Sequence, residues 1–504
     1  MKRAYITTPI YYPSGAPHLG HAYTNVACDV YARFKRLAGY DVKFLTGTDE
    51  HGLKLQRKAE EAGLAPQAYV DKMTASFKVL EDMMNLSNDD FIRTTEERHK
   101  QGAQAFWQAL ADNGWIYKDS YAGWYCVSDE AYFDESELTE QDGQKLAPSG
   151  HPVEWMEEES YFFKLSAFQD KLLALYKNQP DFIQPASRRN EVMAFVESGL
   201  RDLSISRTTF NWGIPVPGDE KHIMYVWIDA LTNYITADGY PQPMPHWPAI
   251  HVIGKDILRF HAVYWPAFLM AANVPLPERI VAHGWWTSEG KKMSKSFGNV
   301  VDPAQVTEEF GIDAIRYYLM RDVVFGQDGD FSRSRLIGRL NTELANDLGN
   351  LFQRVLAMVQ KNCAGEVPPL QSLTADDEAF LATARAAPAQ VSQHMDDLAF
   401  TKALDSIWEV VTAANKYMED QKPWELKKTD PTRMAHCLRV MMEGLRVVAV
   451  LITPIMPEKG TALQAQLALQ DTSLTDLDTV PGLTAGTPLP APQGVFPRIE
   501  AEAA

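Results

Sequence analysis

The sequence has no apolar run near the roughly 20 residues that cross a bilayer, so no membrane span is expected. Its start, Met1-Lys2-Arg3-Ala4-Tyr5, carries a basic pair with no apolar segment behind it, so no targeting segment is expected. Cysteine is scarce: Cys28, Cys126, Cys363 and Cys437 lie far apart and form no Cys-x-x-Cys pair. A disulfide framework and a complete zinc knuckle are both excluded, and a reducing cytoplasm fits. Positive charge is also short, with 48 Lys and Arg against 66 Asp and Glu and a net charge of -18. General polyanion binding rests on neutralising phosphates with Lys and Arg, so any nucleic-acid contact has to be local and guided by shape.

What is present is an ordinary globular composition over 504 residues, 45% apolar and 11% aromatic. That length implies two to four structural units at roughly 100–200 residues each. Residues Arg3 to Tyr12 alternate like a strand, Ser14-Gly15-Ala16-Pro17 breaks it, and a helix is expected from about His18 to Ala38. Asp41 to Gly47 then completes a β-α-β unit with parallel pairing. Short aromatic strands and acidic patches from Trp115 to about Gly218 read as an insertion. The parallel-sheet signature resumes in Ile223 to Asp229 and Ile250 to Asp256, each expected to be a buried strand ending in an aspartate.

Beyond Leu336 the pattern is helical, with helices expected at 337–360, 376–394, 400–421 and 431–451, and the Ala/Pro/Thr-rich tail after Gln470 is expected to be loosely ordered. The expected fold is therefore α/β: a Rossmann-like parallel sheet split by an inserted domain and followed by an all-α C-terminal bundle. Its divisions fall at 1–114 and 221–275 for the two halves of the sheet domain, 115–220 for the insertion, 276–336 for a connecting region, 337–470 for the bundle and 471–504 for the tail.

His18 and His21 stand three apart at a helix N-terminus just after a strand, so both imidazoles share a side where amides and dipole favour phosphate. Gly20 between them allows close approach of a nucleotide. Lys292-Met293-Ser294-Lys295-Ser296 sits between Ser288-Glu289-Gly290 and Phe297-Gly298-Asn299, a loop setting for two ammonium groups. Such a loop closes over a triphosphate and neutralises the charge that develops as pyrophosphate leaves.

Between and around these two signatures the sequence resembles the methionyl-tRNA synthetases, a family of class I aminoacyl-tRNA synthetases, from about Thr8 to Trp424. The blocks that carry the resemblance are Thr8-Pro9-Ile10-Tyr11-Tyr12-Pro13, Thr46-Gly47-Thr48-Asp49-Glu50-His51-Gly52, Val226-Trp227-Ile228-Asp229-Ala230, Ile253-Gly254-Lys255-Asp256-Ile257, Phe260-His261, Trp265-Pro266 and Ala282-His283-Gly284-Trp285. The resemblance implies activation of L-methionine with ATP and magnesium, then transfer to the terminal adenosine of tRNA(Met). It implies an apolar, aromatic methionine slot from Ile10, Tyr12, Trp227, Ala230, Leu231, Tyr234, Ile257, His261 and Trp265, with Asp49 for the substrate ammonium. Asp49 is otherwise a cap for the helix after Gly52.

On the nucleotide side the resemblance implies roles for His18, Gly20, His21, Gly254, Asp256, His283, Trp285, Lys292, Ser294 and Lys295. His18, His21, Lys292, Lys295 and Asp256 are the catalytic set. Arg207 reaches the site from the insertion or forms a surface ion pair. The insertion corresponds to that family's connective peptide, 276–336 to its stem-contact region and 337–470 to its anticodon-binding bundle, where Trp424 stacks a base and Asn346, Asn350 and Arg354 are candidate readers of base edges.

The sequence departs from many relatives at the zinc knuckle, where only Cys126, Asp129 and His151 remain as ligand candidates, so no metal site and no structural zinc are expected. Lacking an appended dimerisation domain, the chain is expected to be monomeric. The rival readings are another class I synthetase, disfavoured because only about 100 residues are free for an editing insertion, and a catalytically idle tRNA-binding paralogue, disfavoured by His18, His21, Lys292 and Lys295.

Overall fold

The computed structural model of the protein describes residues 2–129, 131–141, 143–293 and 300–500. Its centre is a six-stranded sheet of β1 (Arg3–Thr7), β2 (Asp41–Thr48), β3 (Asp90–Arg93), β4 (Ile183–Gln184), β5 (Ile250–Gly254) and β6 (Arg279–His283), all in parallel pairing. The spatial order is β3-β2-β1-β5-β6-β4. The winding therefore reverses between β1 and β5, the point at which doubly wound sheets open a crevice beyond their carboxyl ends.

Helix α1 (Leu19–Leu37) follows β1, and its apolar repeat of Leu19, Ala22, Val26, Val30 and Phe34 is fully buried on the sheet. Each of the larger side chains contributes roughly 1.5–3 kcal/mol by leaving water. The packing that holds α1 is thus independent of the polar residues at its start.

Two sequence expectations change here. The run from Ile223 to Asp229 is not one strand: Asp219–Met224 is an antiparallel strand, and α2 (Val226–Thr236) begins immediately after it. A short apolar run does not distinguish a buried strand from a buried helix. The 3–4 spacing of Trp227, Ala230, Leu231 and Tyr234 is the helical signal, and Asp229 sits inside the helix, paired with two histidines. The expected insertion at 115–220 also gives β4 back to the parallel sheet, through the helices Gln169–Asn178 and Ala186–Glu197 that flank it. Its antiparallel part comprises Ile116–Cys126, Ala131–Phe133, Glu154–Phe163 and Leu203–Ser204.

After β6 the chain forms α3 (Ile312–Arg321) and a long helical run from Arg333 to Asn362, π-helical over Leu340–Asn350. The bundle consists of α4 (Ala375–Asp396), α5 (Phe400–Gln421), α6 (Pro431–Ile452) and α7 (Pro457–Gln466). The tail is not loose, as its composition suggests, but is tied down by its backbone. Glu443 on α6 accepts from the N–H of Gly482 and Leu483, Arg446 donates to the carbonyls of Asp476 and Thr479, and Asn341 exchanges two hydrogen bonds with Ile499. Glu443 and Arg446 are buried, so these backbone groups satisfy charges that would otherwise be costly to bury.

Candidate active site

Beyond the carboxyl ends of β1, β2, β5 and β6 lies a cavity of about 1400 Å3. Ile10, Tyr12, His18, Gly20, His21, Asp49, Trp227, Ala230, Leu231, Tyr234, Gly254, Asp256, Ile257, His261, His283 and Trp285 all line it. The structure therefore gathers both ends of the sequence-derived site into one space. Two residues stay outside. Trp265 is fully buried and its indole N–H donates to His251, 3.2 Å away, behind the cavity wall. Arg207 is buried against the rings of Tyr225, Tyr132 and Tyr125 and is not part of the lining.

The two histidines are organised by the first turn of α1. His18 is the N-cap, in extended backbone; its Nδ1 accepts the Gly20 N–H at 3.1 Å, while its own N–H donates to His21 Nδ1 at 3.0 Å. This reciprocal pair is a capping box built from imidazoles. Because each Nδ1 is an acceptor, each ring carries its hydrogen on Nε2. Gly20 has a packing reason as well: a Cβ there would stand 3.0 Å from the His18 ring. The rings lie 3.9 Å apart, and His21 is held edge-on by Tyr11 and Phe77. Burial, reinforced by His18, pushes the His21 pKa well below the ordinary imidazole value, which favours the neutral ring.

Opposite them, Gly254 ends β5 and lets the Asp256 carboxylate fold back, since a Cβ would meet Asp256 Oδ1 at 2.6 Å. Trp285 is half exposed, its indole N–H donating to Asp256 at 3.3 Å and its ring covered by the Lys255 ammonium. The Thr24 hydroxyl on α1 lies 2.7 Å from His283 Nε2, joining the helix to β6. Ser294 and Lys295 lie outside the described residues, and Lys292 is described only as backbone in the short strand Lys291–Lys292. Met293 before that gap and Val300 and Asp302 after it line the cavity.

The other end is aromatic. Helix α2 presents Trp227, Ala230, Leu231 and Tyr234 on one face, and the π-helical turn Phe260–Tyr264 presents Phe260, His261 and Tyr264. Phe260 stacks on Trp227 at 3.8 Å with ring planes 5° apart, forming a wall that sequence reasoning missed. His261 Nδ1–H donates to the Ile257 carbonyl at 3.0 Å, so its Nε2 accepts the Tyr234 hydroxyl at 2.6 Å. No cation is needed there: burial lowers the His261 pKa from 6.5 to about 4.

Asp49 follows β2 and is buried at the cavity floor. Its neighbours hold it rigidly. Glu50 is fully buried and accepts two hydrogen bonds from Arg93, with others from Thr48, Thr74 and Thr95. His51 and His99 each approach the Asp229 carboxylate to 2.7 Å; burial alone would raise the Asp229 pKa, but the two histidines hold it at about 2.

A neutral buried histidine such as His261 binds its proton less tightly in the folded chain than in the unfolded one. Its contribution to stability is full above pH 6.5 and is lost as pH falls towards about 4. The expected loss is at most roughly 3 kcal/mol. Thermal melts of the parent and of His261→Gln across that range are expected to converge as pH falls. Parallel curves would show that His261 is not held neutral by the fold.

No group of three His, Cys, Asp or Glu side chains able to hold a metal occurs among the described residues. Cys126 is buried with its thiol pushed up to about 11, Asp129 accepts from Ser149, and His151 is exposed. In the bundle Trp424 remains exposed after the left-handed turn at Lys422, with the Arg354 guanidinium 5.6 Å from its ring. Arg354 also pairs with Glu419, and Asn346 and Asn350 are exposed on the preceding helical run.

Residues 4–356 match the family described as tRNA synthetases class I (M), and residues 367–504 match the anticodon binding domain of methionyl tRNA ligase. The methionine–tRNA ligase of Brucella suis biovar 1 (strain 1330) is 55% identical over 509 residues, covering 99% of each chain. That of Mesorhizobium japonicum is 55% identical over 504 residues, covering 99% of this chain and 98% of its own. Among solved structures, Mycobacterium tuberculosis methionyl-tRNA synthetase in complex with methionyl-adenylate superposes with a TM-score of 0.96 at 49% identity, covering 99% of this chain and 100% of that one. Its apo form gives 0.90 at 46% identity, covering 99% of each.

Proposed function

The chain belongs to the methionyl-tRNA synthetase family, and from that premise we propose which of its residues perform each part of the reaction. It activates L-methionine with ATP, giving methionyl adenylate and pyrophosphate, and transfers the methionyl group to the 3′-terminal adenosine of tRNA(Met). In our reading Asp49 takes the substrate ammonium, and Trp227, Tyr234, Ile257 and His261 take the thioether, with Ile10, Tyr12, Ala230 and Leu231 completing the slot. Polarizable ring faces suit sulfur, and the neutral Tyr234–His261 pair suits an uncharged side chain. Phe260 joins this set in place of Trp265.

The methionine carboxylate is already a nucleophile, so its attack on the α-phosphate needs no general base. Positioning and charge stabilisation suffice. We assign the phosphates to the Nε2–H groups of His18 and His21, to the opening at Gly20 and, on sequence grounds, to Lys292, Ser294 and Lys295, with magnesium entering bound to ATP. Asp256 takes the ribose hydroxyls beside Gly254, and His283 and Trp285 take the adenine side. The gathering of Asp49, the aromatic slot, the histidine pair and Asp256 in one cavity carries this reading.

We further read 1–114 with 221–275 as the catalytic domain, 115–220 as the connective insertion, 276–336 as the stem-contact region and 337–470, braced by 471–504, as the anticodon bundle. Trp424 would stack an anticodon base, worth about 1–3 kcal/mol without a basic surface, with Arg354, Asn346 and Asn350 as base-edge readers. This answers the acidic charge of the chain. No structural zinc is proposed, because the paired Cys-x-x-Cys ligands of a zinc knuckle are missing from the sequence and leave Cys126 as the one thiol in the insertion. A monomer in the cytoplasm is proposed; the four cysteines are free thiols and no described helix is long and apolar enough to cross a membrane.

Amino-acid-dependent ATP–pyrophosphate exchange with each of the twenty amino acids tests the site. Exchange is expected with methionine alone among them at micromolar to millimolar concentration. Comparable exchange with leucine or isoleucine would overturn the slot assignment.

A further inference from the structure

We propose that Arg316 on α3 is a positioning residue for the charging of tRNA, holding the anticodon-side bundle in register with the helix that carries His18 and His21. It is fully buried, and four of its five N–H groups are engaged by three separate stretches of chain. Nη2 donates to Asp29 Oδ2 on α1 at 2.6 Å and to the Pro454 carbonyl at 3.0 Å. Nε donates to the Ile455 carbonyl at 2.9 Å, and Nη1 to the Met84 carbonyl at 3.0 Å. One planar side chain thus joins α1, the end of the helix Pro66–Met83 and the turn between α6 and α7.

Both partners are fully committed to this joint. Asp29 is buried and also accepts from Arg33 and from the N–H and hydroxyl of Ser87. Burial alone would raise its pKa, but Arg316 and Arg33 hold it below the usual carboxylate range. One turn earlier on α3, Asp313 accepts the Lys459 N–H at 2.6 Å. Its other oxygen is buried without a hydrogen-bond partner, a cost accepted at this joint. Helix α3 therefore holds both the turn between α6 and α7, through the Pro454 and Ile455 carbonyls, and the first turn of α7, through the Lys459 N–H.

The two half-reactions place different demands on that joint. Adenylate formation uses only groups around the cavity, and α1 is fixed there by its own apolar face. Charging requires one RNA to be held at the bundle and to deliver its far end to the cavity, so it depends on the bundle's register with α1. A displacement of about 1 Å in a reacting group can cost ~100-fold in rate. Lysine cannot replace the arginine, because its single ammonium cannot satisfy acceptors spread around a planar fork.

The test compares the full-length parent with Arg316→Lys. ATP–pyrophosphate exchange is expected to stay within about twofold, while kcat/KM for a tRNA(Met) transcript falls ~10–100-fold. The preference for that transcript over one with a replaced anticodon is expected to shrink by a similar factor, which a purely stabilising role would not produce. Should Arg316→Lys fail to fold, the Asp29→Asn, Arg316→Met double variant, which removes both fully buried charges and leaves Arg33 partly exposed and bonded to the Asn85 carbonyl, carries the same expectation. Equal losses in exchange and charging, or charging at the parental rate with anticodon preference intact, would overturn the proposal.

Discussion

His21→Gln is expected to slow adenylate formation ~100–1000-fold, the loss seen when one preorganised donor to a developing charge is removed, while the methionine dissociation constant changes by less than about twofold. Glutamine is chosen because it keeps the cap: its amide oxygen accepts the His18 N–H as His21 Nδ1 does at 3.0 Å. With its oxygen committed to the cap, the glutamine NH2 cannot occupy the position of the imidazole Nε2–H, so the preorganised donor is displaced. A thermal midpoint close to that of the parent would show that α1 still starts correctly, and stopped-flow measurement of adenylate formation would then isolate the chemistry. An unchanged rate would place the stabilisation of the leaving phosphates elsewhere, on the loop around Lys292 and Lys295. Because the His21 pKa is lowered well below 6.5, the parental rate is expected to show no titration of this group near neutral pH. A cationic His21 would instead lose rate as pH rose through 6–8.

The imidazole pair also illustrates what was legible in the sequence. A strand, a breaker and His18-Leu19-Gly20-His21 at a helix start were sufficient to place both rings on one side of a phosphate-binding terminus, because the spacing of three and the cap chemistry are local. Boundaries in the bundle were equally plain, since α5 matches its expected span of 400–421 residue for residue. The failure at Trp265 is local. At Phe260–Tyr264 the helix widens to a π turn, which adds a residue to the turn. A spacing of four from Ile257 through His261 implies that Trp265 shares their face; in the structure Trp265 is buried, and Phe260 and Tyr264 line the cavity beside His261. Such a local change of pitch leaves no trace in hydrophobic periodicity.

The Val226–Thr236 helix and the tail failed for a different reason. Burial on all sides masks a helical period, and α2 has Val226, Ile228, Ala230, Leu231, Tyr234 and Ile235 buried around its circumference, so the 3–4 spacing of its cavity-facing residues is easily read as a strand. Composition alone made the tail look loose; its order comes from buried charges on α6 some 30–40 residues away, Glu443 and Arg446. Long-range pairing of this kind cannot be read from one chain. The same limit hid Arg316, whose four acceptors come from Asp29, Met84, Pro454 and Ile455.

Asp49→Asn is expected to weaken methionine binding by roughly 30- to 1000-fold, corresponding to about 2–4 kcal/mol. The substitution keeps the size of the side chain and removes the charge opposite a substrate ammonium at a buried position, where an opposite charge is not screened by water. The surrounding loop does not depend on that charge. Its backbone is fixed by the Asp49 N–H to the Tyr11 carbonyl at 2.9 Å and by the Glu50 network with Arg93, Thr48 and Thr74. The fold should therefore survive, unlike in Glu50→Ala, which removes the fully buried carboxylate that gathers Arg93, Thr48, Thr74 and Thr95 and is expected to destabilise the chain outright. Equilibrium dialysis with methionine and with methioninol, which keeps the ammonium but lacks the carboxylate, separates the effects: both ligands are expected to lose the same factor in Asp49→Asn. Loss confined to methionine would mean that Asp49 acts on the carboxylate end, and no loss for either would remove Asp49 from the ammonium site; it does not cap the following helix, whose N-cap is Gly52 without a side-chain bond.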